Sequence, residues 1–207
     1  MTDLWTLVAA ERGALANDVA GLTPEQWASR SLCPDWTVRD VVAHLAAAAS
    51  TSPVSFFGQF VKAGFNFDRY ANAGLSQRLG ADTDATLANF RAVQSSKTAP
   101  PGPKPTWLGE VIVHAEDIRR PQAIAHSYNP EAVREVADFY KGSNTLIGAK
   151  NRIDGLALQA TDQDWSHGAG QTVEGPLLSL VMAMTGRRAH VADLTGEGVE
   201  KLASRCR

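Results

Sequence analysis

The stretch CPDWTVRDVVAHLA, residues 33–46, decides most of the fold, because it begins a core helix. Thr37 precedes an apolar run and Asp40 follows three residues later, which is the reciprocal pair of a capping box and predicts a helix start. His44 then lies in the middle of that helix, among valines and a leucine. An imidazole in such surroundings needs a polar partner, since leaving it without one costs roughly 1 to 3 kcal/mol.

A second stretch, GEVIVHAEDIRRP at residues 109–121, contains the side chains that can partner this histidine. Its apolar residues recur at helical spacing. Glu110 and His114 are four residues apart, so their side chains lie on one helix face, one turn apart. Two imidazoles and a carboxylate from packed helices can hold one divalent ion and leave coordination positions open, as catalytic sites do. We therefore predict His44, Glu110 and His114 as metal ligands.

These side chains can also have structural roles that involve no metal. A lone histidine on an apolar helix face is usually a core residue bonded to a backbone carbonyl, and the E-x-x-x-H spacing often arises by chance. Asp117, three residues after His114, is predicted either to orient that imidazole from behind or to pair with a neighbouring arginine. Arg119 and Arg120 are predicted either to grip a carboxylate or to lie on the surface at the negative end of the helix, and the surface position is favoured.

Helical patterns cover most of the remaining chain. Four prolines within residues 98–105 predict an extended linker between two helices. After the last long helical pattern the period changes: residues 155–161 alternate as a strand, and residues 172–174 are predicted to return as the second strand of a hairpin. The sequence thus predicts a mainly α fold, with a helical bundle in residues 1–148 and a small α+β unit in residues 149–207.

Composition excludes several classes of partner. The formal net charge is -2 and no long run of lysine or arginine occurs, which argues against nucleic-acid and membrane partners. Two cysteines are too few for a disulfide scaffold, so a reduced cytoplasmic location is expected. No nucleotide-binding or serine-hydrolase motif is present. A small-molecule partner and a monomeric or homodimeric chain are therefore predicted.

The sequence predicts ordinary structural roles for the other reactive and aromatic side chains. Cys33 and Cys206 are interpreted as incidental thiols, and Trp36 as a ring that covers the edge of the core. Three further histidines show no ligand spacing and are interpreted as solvated. They are His126, His167 and His190.

The two stretches quoted above, taken together, resemble the mycothiol-dependent maleylpyruvate isomerase family. The sequences ATDQDW (residues 160–165), VEGP (173–176) and TGRR (185–188) also look like the small C-terminal domain of that family. The resemblance covers both ends of the chain, whereas residues 50–105 are generic. It implies a DinB-like up-down four-helix bundle, with mycothiol as cosubstrate.

The resemblance also implies that His44, Glu110 and His114 correspond to the family's metal ligands, with zinc the usual ion. The resulting hypothesis is a mycothiol-dependent S-transferase or isomerase in which a metal-bound thiolate attacks a small electrophilic substrate. One alternative is a metal-assisted hydrolase that activates water at the same ligands. Another is a non-catalytic metal-binding module with a stress-response role.

Overall fold

The computed structural model describes residues 2–144 and 147–206. Contacts within the chain divide it into two compact units, Met1–Ser127 and Tyr128–Arg207. The domain boundary expected after residue 148 stays a prediction, because a division by packing does not by itself define an independently folding domain. Within the described part of the chain, no helix combines the length and apolar composition that crossing a bilayer requires.

The first unit is helical, as the spacing of apolar residues predicts. Four of its helices form a bundle in which α1 and α3 each pack against both α6 and α7. The pair α4 and α5 is inserted between α3 and α6, and α5 packs against α3. The helices are α1 (Leu4–Ala20), α2 (Pro24–Ala28), α3 (Val38–Ala48), α4 (Pro53–Lys62), α5 (Phe67–Ser76), α6 (Thr83–Arg91) and α7 (Lys104–Arg119).

The predicted capping box starts α3. The Thr37 side chain accepts a hydrogen bond from the Asp40 amide at 3.2 Å, and the Asp40 carboxylate accepts one from the Thr37 amide at 2.9 Å. These bonds satisfy backbone donors that would otherwise lack a helical partner. The helix therefore begins at a defined residue, which places His44 near its middle.

The core of the bundle is built from the apolar faces of these helices. Phe90 of α6 and Ile118 of α7 are almost fully buried, and they belong to the same apolar cluster as residues of α1 and α3. The proline-rich segment joins α6 to α7, and α7 begins at Lys104, inside that segment. Because this cluster packs both α1 and α3 against α7, it determines which polar side chains of those helices come together.

The second unit combines short helices with a three-stranded sheet. Its helix α8 packs against α10, and α10 also contacts the sheet. The elements are α8 (Pro130–Tyr140), α9 (Ala149–Arg152), β1 (Leu156–Ala160), β2 (Ser166–Gly168), β3 (Gln171–Gly175), α10 (Leu177–Met184), a 3-10 helix (Arg188–Asp193) and α11 (Val199–Ala203).

The sheet differs from the predicted hairpin. Strand β1 lies between the other two, and β2 pairs with it antiparallel, with Leu158 opposite His167. Strand β3 pairs with β1 in parallel, with Leu158 opposite Val173. The prediction that residues 172–174 form an antiparallel hairpin with the first strand is therefore wrong, because the short strand β2 takes that place.

Two glycines explain how the chain reaches the other edge of the sheet. Gly168 and Gly170 have φ angles of 86° and 125°, which L side chains rarely adopt. A Cβ on either residue would also collide with a backbone carbonyl oxygen, that of Leu156 or Gly155. The chain can therefore cross closely past the start of β1 and continue as β3.

Candidate metal centre

The three predicted ligands meet where α3 and α7 pack together. His44 comes from the middle of α3, and Glu110 and His114 come from adjacent turns of α7. His44 and Glu110 are 66 residues apart in the chain, yet their side chains are in contact. We call these three residues the His44 set.

The polar atoms of the His44 set are close to one another. His44 Nε2 lies 2.7 Å from Glu110 Oε1, and His114 Nε2 lies 3.8 Å from the same oxygen. One ligand atom from each residue can be chosen so that all lie within 4.8 Å of one another. The exposed fractions of the side chains of His44, Glu110 and His114 are 15%, 26% and 11%. The set is thus largely shielded but accessible to a small molecule.

This donor set fits a divalent cation of the zinc type. Zinc takes imidazole nitrogen and carboxylate oxygen at about 2.0 to 2.2 Å, so two such atoms around a tetrahedral ion lie roughly 3.3 Å apart. The two distances to Glu110 Oε1, 2.7 and 3.8 Å, lie on either side of that value. Small side-chain rotations would therefore give the spacing that an ion needs, and three protein ligands would leave a position for substrate or water.

Asp117 lies directly behind one ligand. Its carboxylate is fully buried, and its Oδ2 is 2.9 Å from His114 Nδ1. A carboxylate in this position holds an imidazole in one orientation and favours the tautomer with the proton on Nδ1, which leaves Nε2 able to bind a cation. Of the two roles predicted for Asp117, the contact with His114 favours the orienting one.

Replacing this carboxylate is expected to weaken metal binding without unfolding the chain. In Asp117→Asn the side chain keeps its size but loses the charge that orients His114, so we expect metal affinity to fall by about 10-fold or more. Competition with a coloured chelator measures the affinity. Asp164→Asn, an exposed aspartate of the second unit, serves as the matched control. An affinity equal to that of the wild type would rule out the orienting role.

Two side chains that sequence analysis treated as ordinary line the centre. The Trp36 ring lies over His44, with ring centroids 4.6 Å apart, and its Nε1 donates a hydrogen bond to Asn72 of α5. Cys33 offers a sulfur within 4.8 Å of ligand atoms of His114 and Asp117. Both precede α3 in the quoted stretch, but nothing in their spacing showed that this segment turns back onto α7.

The charge of Glu110 acts on two residues of other helices. Burial lowers the pKa of Arg12 to about 10, while the charge of Glu110 partly opposes that shift, so Arg12 stays cationic at neutral pH. Burial also raises the pKa of Tyr70, its hydrogen bond with Thr51 opposes the rise, and the charge of Glu110 adds to it. A phenol that stays protonated is a hydrogen-bond donor at neutral pH. Neither residue belongs to a recognisable motif, and both come from helices other than α7.

The surface position predicted for Arg119 is wrong. Its side chain is 1% exposed, and its guanidinium lies 2.7 Å from Asp18 Oδ2 and 3.9 Å from Glu11 Oε2, both on α1. Arg120, the next residue, is half-buried. The sequence pattern places a polar residue at position 119. Because α7 packs against α1, the Arg119 side chain is buried in the core, where two carboxylates compensate its charge.

The histidines expected to be solvated are not all exposed. His190 is buried, with 1% of its surface exposed, so the prediction is wrong for that residue. His126 lies 3.0 Å from Glu11 Oε2, and His167, on β2, is partly exposed. Within the described residues, none of the three belongs to a group that could hold a metal ion.

Fold and site together define a helical-bundle protein whose packed helices present two imidazoles and a glutamate at one point. The model of the mycothiol maleylpyruvate isomerase N-terminal domain family matches residues 8–119, more than half of the 207-residue chain. The chain belongs to this family, as the resemblance of its two signature helices predicts. Because the family is an enzymatic one, the prediction that the chain is an enzyme is confirmed at the level of the family.

Solved structures show the same fold. The crystal structure of the mycothiol-dependent maleylpyruvate isomerase matches with a TM-score of 0.63 and 16% identity. A histidine-to-alanine mutant of that enzyme matches with a TM-score of 0.61 and 16% identity. Each match covers 94% of this chain and 92% of the other. No curated protein sequence matches the chain. The predicted DinB-like up-down four-helix bundle, followed by a small α+β unit, is confirmed.

Proposed function

We propose that this chain is a metal-dependent, mycothiol-dependent enzyme, either an S-transferase or an isomerase, that acts on a small electrophilic substrate. The observation that carries the proposal is the convergence of His44, Glu110 and His114 at the contact between α3 and α7. Membership of a family named for mycothiol supports the choice of cosubstrate. Because a thiol cosubstrate needs a reducing compartment, we place the enzyme in the cytoplasm.

In this proposal the His44 set holds the cation, and Asp117 keeps the His114 ring oriented toward it. The chemistry that a divalent cation, with zinc expected, supplies here is to lower the pKa of a thiol, so that thiolate predominates near neutral pH. Trp36 covers one side of His44 and limits the access of water from that side.

Tyr70 is suited to donate a hydrogen bond to the substrate. It is half-buried, its phenol stays protonated at neutral pH, and the charge of Glu110 acts on it. Thr51, its hydrogen-bond partner, is buried and donates its only hydroxyl proton to the Ala47 carbonyl at 2.9 Å, so without substrate the Tyr70 phenol donates to Thr51. When substrate binds, the phenol can turn its proton from Thr51 to a carbonyl or carboxylate oxygen of the electrophile.

Removing the phenol hydroxyl is expected to slow turnover without loss of metal. For Tyr70→Phe we expect kcat/KM to fall about 10-fold, because one hydrogen bond to the reacting substrate is lost. Steady-state kinetics and metal content are the measurements. Thr51→Val removes the hydroxyl that contacts Tyr70 and serves as the control. If both variants lose activity equally, Tyr70 acts through its contact with Thr51 and does not donate to the substrate.

The experiment that tests the function is a turnover assay of the metal-loaded protein over a panel of electrophiles, with and without mycothiol. Turnover that requires mycothiol supports the proposal. Turnover without any thiol would instead favour hydrolysis by activated water at the same ligands. Tight metal binding with no turnover over the whole panel would favour a non-catalytic metal-binding module with a stress-response role.

A further inference from the structure

Cys33 is held against the metal-binding helix by the loop that precedes α3. The Leu32 amide donates a hydrogen bond to the backbone carbonyl of Asp117 on α7 at 2.9 Å. The hydroxyl of Ser31 accepts from the Cys33 amide at 3.1 Å and donates to the Trp36 carbonyl at 2.9 Å. The first bond ties the loop to α7 at the residue behind His114, and the others shape the turn itself. These bonds of the Leu32 amide, the Cys33 amide and the Ser31 hydroxyl hold the backbone of Cys33 beside α7.

We propose that Cys33, His114 and Asp117 form a second cation site, the Cys33 set, which takes a thiophilic divalent ion. Ligand atoms of the three residues lie within 4.8 Å of one another. Cys33 is half-buried whereas Asp117 is fully buried, so an ion would enter from the cysteine side. A thiolate together with an imidazole and a carboxylate favours ions such as cadmium and zinc over the hard ions that prefer oxygen alone. This inference goes beyond the proposed function, because that function uses no cysteine.

The two sets share one residue, His114, which faces them with different ring nitrogens. Its Nε2 lies 3.8 Å from Glu110 Oε1, and its Nδ1 lies 2.9 Å from Asp117 Oδ2. A neutral imidazole has only one nitrogen with an available lone pair, so it can serve one set at a time. An ion in the Cys33 set therefore takes His114 away from the His44 set. A thiophilic metal would inhibit the enzyme by this exchange.

Cadmium titration of the metal-free, full-length protein tests the site directly. Sulfur-to-cadmium charge transfer gives an ultraviolet absorption band, and the His44 set contains no sulfur that could produce it. The second cysteine, Cys206, provides the matched control. It is buried, its thiol donates to the Ala183 carbonyl at 3.5 Å, and burial raises the pKa of that thiol. We expect the band in the wild type and in Cys206→Ser, and its loss in Cys33→Ser.

Two further variants separate the Cys33 set from the proposed function. Glu110→Gln damages only the His44 set, so the cadmium band is expected to remain. Asp117→Asn removes a ligand of the Cys33 set, so about 10-fold more cadmium is expected to be needed. The cadmium band reports only the Cys33 set, so it would remain in the wild type even if the His44 set bound no metal. Failure of the proposed function and failure of this inference therefore give different results.

Three results would overturn the inference. The first is a band that persists in Cys33→Ser, and the second is cadmium bound by the wild type without any band. The third concerns the shared histidine. If the inference is right, zinc already held by the His44 set raises the cadmium concentration needed to produce the band. Identical titration curves for zinc-loaded and metal-free protein would reject competition through His114.

Discussion

Replacing His114 with alanine is expected to remove both the bound metal and the thiol-dependent turnover. Untreated wild-type protein should contain about one divalent ion per chain, and His114→Ala close to none. We expect metal affinity to fall by at least about 100-fold, because even residues behind a ligand change it by 10 to 100-fold. His44 and Glu110 would remain in contact, but one nitrogen and one oxygen do not complete a zinc site.

Elemental analysis of untreated protein, together with the mycothiol assay, measures this effect. The matched control is His167→Ala, which removes a partly exposed histidine of the second unit and should keep the wild-type metal content. Circular dichroism checks that both variants fold. Retained thiol transfer in metal-free protein would reject the metal-dependent mechanism, even if the metal content fell as expected.

Replacing Arg119 with alanine is expected to lower the free energy of unfolding by about 3 to 5 kcal/mol, the range for breaking one partner of a buried ion pair. The guanidinium is almost completely buried and donates through Nε to Asp18 Oδ2 at 2.8 Å. Without it, Asp18 and the nearly buried Glu11 lose their compensating charge at the contact between α1 and α7. The alkyl part of Arg119 also leaves a cavity in the core.

Denaturant unfolding followed by circular dichroism measures this loss. Arg91→Ala provides the control, because Arg91 is an exposed arginine in the last turn of α6, and a change of about 0.5 kcal/mol or less is expected there. Metal-free protein should be used for both variants, so that ligand binding does not add to the stability. A loss below about 1 kcal/mol for Arg119→Ala would show that the ion pair contributes little to the fold.

Sequence analysis identified the residues that meet at the centre because two of its signals are local. The spacing of Glu110 and His114 places both on one face of any helix, whatever surrounds it. The capping pair Thr37 and Asp40 likewise acts within a single turn, and both of its hydrogen bonds are present. These signals depend on backbone geometry that extends over only a few residues, so the sequence alone carries them.

The resemblance to a family relates His44 to the pair Glu110 and His114, which local spacing cannot do. An isolated E-x-x-x-H pattern occurs often by chance, and nothing in the spacing relates it to His44. The match over residues 8–119 covers both helices at once, so the two are assigned to one fold. The choice of mycothiol also rests on the family, because no residue pattern in the chain by itself indicates that thiol.

Apart from the start of α7, which lies inside the predicted linker, the errors of the sequence-based predictions concern long-range packing. The parallel pairing of β3 with β1 depends on a crossing that two glycines permit. The burial of Arg119 depends on α1, more than 100 residues earlier in the chain. A polar residue that finds a buried partner and one that faces water have the same local pattern, so periodicity cannot distinguish them.

The sequence by itself determined the main helices of the bundle, the starting point of α3 and the family to which the chain belongs. Only the tertiary structure decided that Cys33 and Trp36 border the centre and that Arg119 lies in the core. The physical reason is the range of the forces involved. Capping bonds and helical periodicity act over one or two turns, whereas the neighbours of a side chain are selected by the burial of apolar surface from helices distant in the chain.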